Sequence, residues 1–261
     1  MEPTLLALRR EGPIAHVVLD RPDVRNAFNA ELIAQVHALF ERLGADETVR
    51  AVVLSGAGKS FCGGADIQWM RGSLELTREA NLEDARAMSR MFRAIDTLPK
   101  PVIGRVHGAA LGGGSGLVAC CDVAIAAAGT TFGFTETKLG IMPAVISPFV
   151  LAKIGRSQAR ALALTGERFD AARALGIGLV HEVVPSEAEL DAAVDRVTSE
   201  VLSASPTGIA ATKSLFARVS QESYEATLET TAQAIAAQRT SAEGQDGLRA
   251  FLEKRRPAWM A

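Results

Sequence analysis

The stretch Val102–Asp122 constrains this chain more than any other. Val102, Ile103 and Val106 form a short β-branched run that reads as a buried strand, and it breaks at Gly108. The glycines Gly112, Gly113 and Gly114 follow, and then an apolar stretch at helix length, Leu117–Cys121. Strand, glycine turn and buried helix in that order put backbone N–H groups at a helix N-terminus with no side chain in the way. Those unpaired amides and the positive end of the helix dipole suit an anion, either a bound phosphate or an oxyanion that develops during a reaction. Two sharper motifs fail at this place. A dinucleotide fingerprint begun at Gly112 meets Leu117 where glycine or alanine is required, and a nucleophile elbow around Ser115 meets the same leucine.

The arrangement occurs a second time, upstream. A buried strand, Val49–Ser55, leads through Phe61-Cys62-Gly63-Gly64-Ala65-Asp66 into a helix carrying Ile67, Trp69 and Met70. Close packing of helix on strand is the plainer role of both glycine turns. If they face each other, they offer two backbone N–H groups to one oxygen, which is what an enolate or a tetrahedral oxyanion requires. Between them, Gly56–Ser60 resembles the end of a phosphate-binding loop, but Val53 stands where that motif needs its first glycine.

The remaining elements follow from patterning. Thr4–Arg9 and Ile14–Leu19 flank Glu11-Gly12-Pro13 as a hairpin, and Asn29 caps a helix running to about Leu43. Leu74–Thr97 is a charged, partly helical excursion, and Val123–Ala127 and Thr131–Phe134 read as short strands. Pro148–Ile154 and Ser157–Leu164 read as helices, and Leu179–Val184 as a last strand. From Glu187 the pattern is helical, with starts at Ser205-Pro206, Glu222 and Ser241 and a stop at Pro257. We therefore expect a core over 1–200 and a helical region over 201–261 that packs on a neighbouring subunit.

Composition narrows the function. The 261 residues carry a formal net charge of −2, which gives no basic footprint for nucleic acid or an anionic membrane. Cys62, Cys120 and Cys121 have no framework spacing and read as reduced, buried residues of a cytoplasmic protein, and no spacing of Cys or His suggests a metal. The first residues include Glu2, Arg9, Arg10 and Glu11 with no apolar core of a signal peptide, and no run is long enough to span a membrane. Glu136 lies just ahead of Leu139, Ile141 and Met142, where desolvation would raise its pKa towards a range useful for proton transfer; capping a helix or pairing with Lys138 is the plainer role. His107, beside the glycine run, is either a core imidazole or a group near the ligand.

Five segments taken together, Phe61–Ile67, His107–Gly114, Phe132–Pro143, Leu164–Ala171 and Glu243–Pro257, resemble the enoyl-CoA hydratase/isomerase (crotonase) family over essentially the whole chain. The resemblance implies an α/β fold, a crotonase-like spiral of ββα units with a C-terminal helical region, assembled as trimers or dimers of trimers. It implies an acyl-CoA thioester as ligand, so that coenzyme A is part of the substrate and no further cofactor is needed. By position, Ala65 and Gly113 match the amides that hold the thioester oxygen, with Gly112 beside them. Asp66 and Ile67 match the turn near the adenine, Arg25 and Ala27 the loop flanking the CoA, and Phe251 and Lys254 the last helix, which meets the CoA or acyl pocket, often across a subunit boundary.

One departure matters. Hydratases of the family commonly set two glutamates around one water; Glu136 matches the second, whereas the first falls at Gly116. A hydratase working with Glu136 alone is one consequence. An isomerase carrying a proton between C2 and C4 is another, and the string Glu136–Ile141 is similar to that of isomerases. The segments Gly63–Met70 and Pro143–Val150, with Gly116, resemble more closely those of bacterial hydratases of methylglutaconyl-CoA-like substrates. A carboxylate on such a substrate needs a cation, for which Arg71, Arg78, Arg86 and Arg90 are candidates. An RNA-binding branch of the family is disfavoured by the net charge, and thioesterase or decarboxylase chemistry shares the same scaffold.

Overall fold

The computed structural model describes residues 5–260. The chain opens with β1 (Leu6–Glu11) and β2 (Ile14–Leu19), an antiparallel hairpin, followed by α1 (Ala30–Ala45). The Asn29 side chain accepts the Leu32 N–H at 2.8 Å and so caps α1, as its sequence position predicts. Thr4, placed in the first strand on sequence, lies outside the described residues.

Three turns of a spiral come next. In each, one strand enters a large sheet, a second segment enters a smaller layer, and a helix returns the chain. The first turn is β3 (Ala51–Gly56), the bridge residue Cys62, then α2 (Ile67–Ser73) and α3 (Arg78–Asp96). The second is β4 (Val102–Val106), β5 (Ala109–Leu111) and α4 (Gly113–Cys120). The third is β6 (Val123–Ala127), β7 (Thr131–Gly133) and α5 (Ser147–Thr165), which breaks at Gly155 (φ 71°) as the two expected helices require. Cys62 pairs with Ala110 and Ala110 with Phe132, all parallel, so the second segments of the three turns stack side by side. This is the α/β crotonase-like spiral of ββα units.

A short strand β8 (Arg168–Asp170), a short helix α6 (Ala171–Gly176) and β9 (Glu182–Val184) close the core. The large sheet runs β1-β2-β3-β4-β6-β9 and the small one β5-β7-β8. β9 is shorter than the expected Leu179–Val184. The N–H groups of Leu179 and Val180 both turn to the Ala174 carbonyl, and pairing with the sheet begins with His181 on Ala124.

Both faces of the central strands are covered, which is why they read as continuous apolar runs. Val52 and Leu54 enter the main core with Phe40, Phe92 and Leu117. Val53, Ile103 and Ile125 face the other way, against Leu190 and Val194 of α7 (Leu190–Ser203). The helices α8 (Pro206–Val219), α9 (Tyr224–Thr240) and α10 (Ala242–Glu253) form the C-terminal bundle. Two expected boundaries shift: Ser223 rather than Glu222 caps α9, and α10 ends at Lys254 (φ 57°), before Pro257.

Candidate active site

The two glycine turns do face each other. Cys62 N–H donates to Ala109 O and Leu111 N–H to Cys62 O, both at 3.0 Å, which lashes one turn to the other. The approach is so close that a Cβ on Gly114 would stand 2.3 Å from the Cys62 carbonyl oxygen, so that position admits only glycine. Phe28 pairs with both neighbours of Ala65, accepting from Asp66 N–H at 2.8 Å and donating to Gly64 O at 2.7 Å. In a parallel bridge of this kind the amide of the middle residue points to the opposite side, here away from Phe28. Gly113 is the first residue of α4, where an N–H has no intrahelical acceptor. Among the described residues, nothing accepts the amide hydrogens of Ala65 or Gly113. Both residues line one cavity of about 300 Å³ together with Glu136.

Glu136 opens a 3₁₀ turn, Glu136–Leu139. Its Oε1 lies 3.1 Å from the point where a Gly112 Cβ would stand, and its buried Oε2 has no hydrogen-bond partner among the described residues. Burial raises its pKa above the ordinary carboxylate value, only partly offset by its own backbone amide. Lys138 does not pair with it. Gly112 serves this geometry by what it leaves out, since its own N–H is already committed to Gly133 O at 2.8 Å.

The floor of the cavity explains Gly116. A Cβ there would meet Ile146 Cγ2 at 2.3 Å and Phe92 Cε1 at 3.2 Å. Ile146 is buried and lines the cavity itself. The space that a first glutamate would need is filled by hydrocarbon.

The expected CoA-flanking residues are spread over one loop and one turn. Arg25 is exposed with φ 56°, and its carbonyl accepts the Gly63 N–H at 2.7 Å. Ala27 is buried, and Ile67 is exposed beside Asp66. The Asp66 side chain is turned inward. It caps α2 by accepting Gln68 N–H at 2.7 Å and pairs with Arg21 at 2.9 Å. Burial pushes its pKa up, but the Gln68 amide and the Arg21 guanidinium outweigh that and leave it lowered. Arg21 also donates to Ala27 O, so one guanidinium ties the loop to the turn that carries Ala65. Asn26 (φ 56°) is fully buried, and its amide donates to the carbonyls of Ala57, Ser60 and Phe61. Neither Arg21 nor Asn26 stands out in the sequence, although both lie in the same loop as Arg25 and Ala27.

Other expected residues are not brought to the cavity by this chain. Phe251 and Lys254 lie on α10 and at its end, exposed, and do not line it. His107 is a core imidazole, 2.9 Å from Gly58 O and 3.6 Å from Glu187. None of Arg71, Arg78, Arg86 and Arg90 lines the cavity, and Arg86 pairs with Glu83 on the outer face of α3. The three cysteines are buried and free, with burial pushing the thiols of Cys62 and Cys121 up to about 12. No helix of the described residues is long and apolar enough to cross a membrane.

Two unpaired amides and a desolvated carboxyl that line one cavity can together polarise a carbonyl and move a proton next to it. The enoyl-CoA hydratase/isomerase family model matches residues 9–261. A putative enoyl-CoA hydratase of Thermus thermophilus is 34% identical, over 95% of this chain and 97% of its own. A short-chain-enoyl-CoA hydratase of Clostridium acetobutylicum is 32% identical, over 98% of this chain and 97% of its own. The crystal structure of an enoyl-CoA hydratase from Shewanella pealeana is 40% identical, covers 99% of this chain and 97% of its own, and superposes with a TM-score of 0.95. The chain belongs to the enoyl-CoA hydratase/isomerase family.

Proposed function

We propose that the protein adds water across the C2=C3 bond of a 2-enoyl-CoA thioester. The observation that carries this is the unpartnered, desolvated Glu136 carboxyl in the same cavity as the unpaired amides of Ala65 and Gly113. In this scheme the two N–H groups hold the thioester oxygen, whose negative charge grows only as the enolate forms, so they lower the barrier selectively. Water adds its oxygen to C3, and Glu136 handles the proton exchanged with C2. The similarity to hydratases of Thermus, Clostridium and Shewanella supports hydration.

Isomerisation of a 3-enoyl-CoA is the second reading, and the filled floor at Gly116 favours it. With Ile146 in the place of a second carboxylate, the cavity holds one base, and carrying a proton from C2 to C4 needs only one. A methylglutaconyl-CoA-like substrate is the narrower form of the hydratase reading. It rests on sequence resemblance, and no arginine or lysine lines the cavity to hold its carboxylate.

CoA is placed in this reading along Arg25, Ala27, Asp66 and Ile67. The assembly is a homotrimer or a dimer of trimers in the cytoplasm, in which the exposed Phe251 and Lys254 reach a neighbour's ligand. The large apolar residues exposed on the C-terminal bundle, among them Phe216, Leu228 and Leu252, support an assembly that covers them.

Mass and fragment analysis of products tests the reaction. A 2-enoyl-CoA product heavier by one water supports hydration. A 3-enoyl-CoA converted to its 2-enoyl isomer, with no water added to either ester, establishes the isomerase instead.

A further inference from the structure

The acyl cavity has a polar end, and it is negative. α2 starts at the turn that carries Ala65 and runs away from it, so Ser73 lies about 9 Å along the helix axis from Ile67. There α2 hands over to α3, whose residues Asn81, Asp84 and Met88 recur at helical spacing on the cavity wall. Asn81 is spent on structure, its amide donating to the carbonyls of Ser73, Leu76 and Thr77. Asp84, three residues on, is not: among the described residues it accepts no hydrogen bond and pairs with no cation. The neighbouring charges Glu83 and Arg86 satisfy each other on the outer face. Between this end and the Glu136 carboxyl the walls are apolar, built by Phe28, Trp69, Met70 and Val145. The cavity thus has hydrocarbon in its middle, one unpartnered carboxylate at its far wall, and no basic side chain of its own.

We infer that Asp84 selects the distal end of the acyl group, favouring acyl chains that carry a hydrogen-bond donor such as a hydroxyl and rejecting those that end in a carboxylate. This deepens the reading of the cavity as an acyl-CoA site and rests on it. A hydroxyl reaching the far wall gives Asp84 the donor it lacks, a charge-assisted bond in a partly desolvated place. A terminal carboxylate meets a like charge with no cation to offset it. A plain alkyl end neither gains nor is repelled.

Binding of saturated acyl-CoA esters by calorimetry tests this without any turnover. The probes are one chain length with three ends: methyl, ω-hydroxy and ω-carboxy. For the wild type, Kd is expected to be at least tenfold lower for the ω-hydroxy ester than for the ω-carboxy ester. Asp84→Asn should bring that ratio to within about threefold, and Asp84→Lys should invert it. Position 84 is a half-buried helix-surface site, so both variants are expected to fold, and the methyl ester serves as the internal reference for each. A wild-type preference for the ω-carboxy ester, or a ratio unchanged in both variants, overturns the inference. Hydration assays on the same proteins keep the two questions apart. Absence of the end-group preference in the wild type with hydration intact refutes the role of Asp84 alone, whereas a wild-type preference without any hydration upholds Asp84 and refutes the reaction.

Discussion

Gly116→Ala is the sharpest perturbation of the cavity floor. On an open helix surface the change would stabilise by about 1 kcal/mol, because glycine is the poorer helix former. Here the new methyl would stand 2.3 Å from Ile146 Cγ2, 2.9 Å from Ile146 Cβ and 3.2 Å from Phe92 Cε1. Ile146 and Phe92 are themselves buried, so neither has room to swing aside. A contact of 2.3 Å puts the overpacking cost in the upper part of its usual range, about 2–3 kcal/mol, and it outweighs the gain in helix propensity. A net loss of about 1–2 kcal/mol lowers Tm by about 2–8 °C for a chain of this size. Ile146→Ala alone opens a cavity at a cost of about 2–5 kcal/mol. In the double variant the methyl at 116 occupies part of the vacated space, so the two changes should couple favourably by at least about 0.5 kcal/mol. Urea unfolding and thermal melts followed by circular dichroism measure all four proteins. A Gly116→Ala protein as stable as the wild type, or strictly additive effects in the double variant, would refute the filled floor and with it the physical reason for a single carboxyl.

Glu136→Gln is expected to lower kcat by about 10²–10⁴-fold while calorimetry still detects CoA-ester binding, and near-normal turnover would remove Glu136 from the chemistry. The same variant has a signature in stability. Because burial holds the folded pKa of Glu136 above its unfolded value, the native state keeps the proton longer, and wild-type stability falls as pH rises from the ordinary carboxylate range through the raised value. Glu136→Gln lacks that loss, so its stability relative to wild type should improve over this interval and level off above it, as read from urea midpoints across pH. Arg21→Met leaves the Asp66 carboxylate buried and without its cation, at a cost of about 3–5 kcal/mol. Since the net effect at Asp66 is a lowered pKa, its contribution in the wild type is present above the ordinary aspartate range and is lost as pH falls through the depressed value. The acid side of the wild-type stability profile should therefore be steeper than that of Arg21→Met, and parallel profiles would show that the pair is not what ties the loop to the turn.

Local signals carried most of the fold. Asn29, Ser205 and Ser241 cap helices because a short polar side chain one place before an amphipathic run has an unpaired amide within reach, and that geometry needs no distant partner. Glu136 was legible for a similar reason, an acid set among apolar residues with its environment written on both sides of it. Contacts between distant segments were not legible. β5 has only three residues and is a strand because Cys62 and β7 flank it, neither of them next to it in the chain. Leu179 and Val180 look like strand by composition, yet the turn around Gly178 gives their amides to Ala174. Arg21 and Asp66 are 45 residues apart, and nothing near either one announces the other. Gly116 is the instructive case. The sequence shows a missing side chain, which by itself suits an empty place for water as well as a filled one. Only the opposite wall decides between them, and Ile146 makes it hydrocarbon. The missing side chain at 116 and the isoleucine at 146 therefore constrain the chemistry only in company with each other.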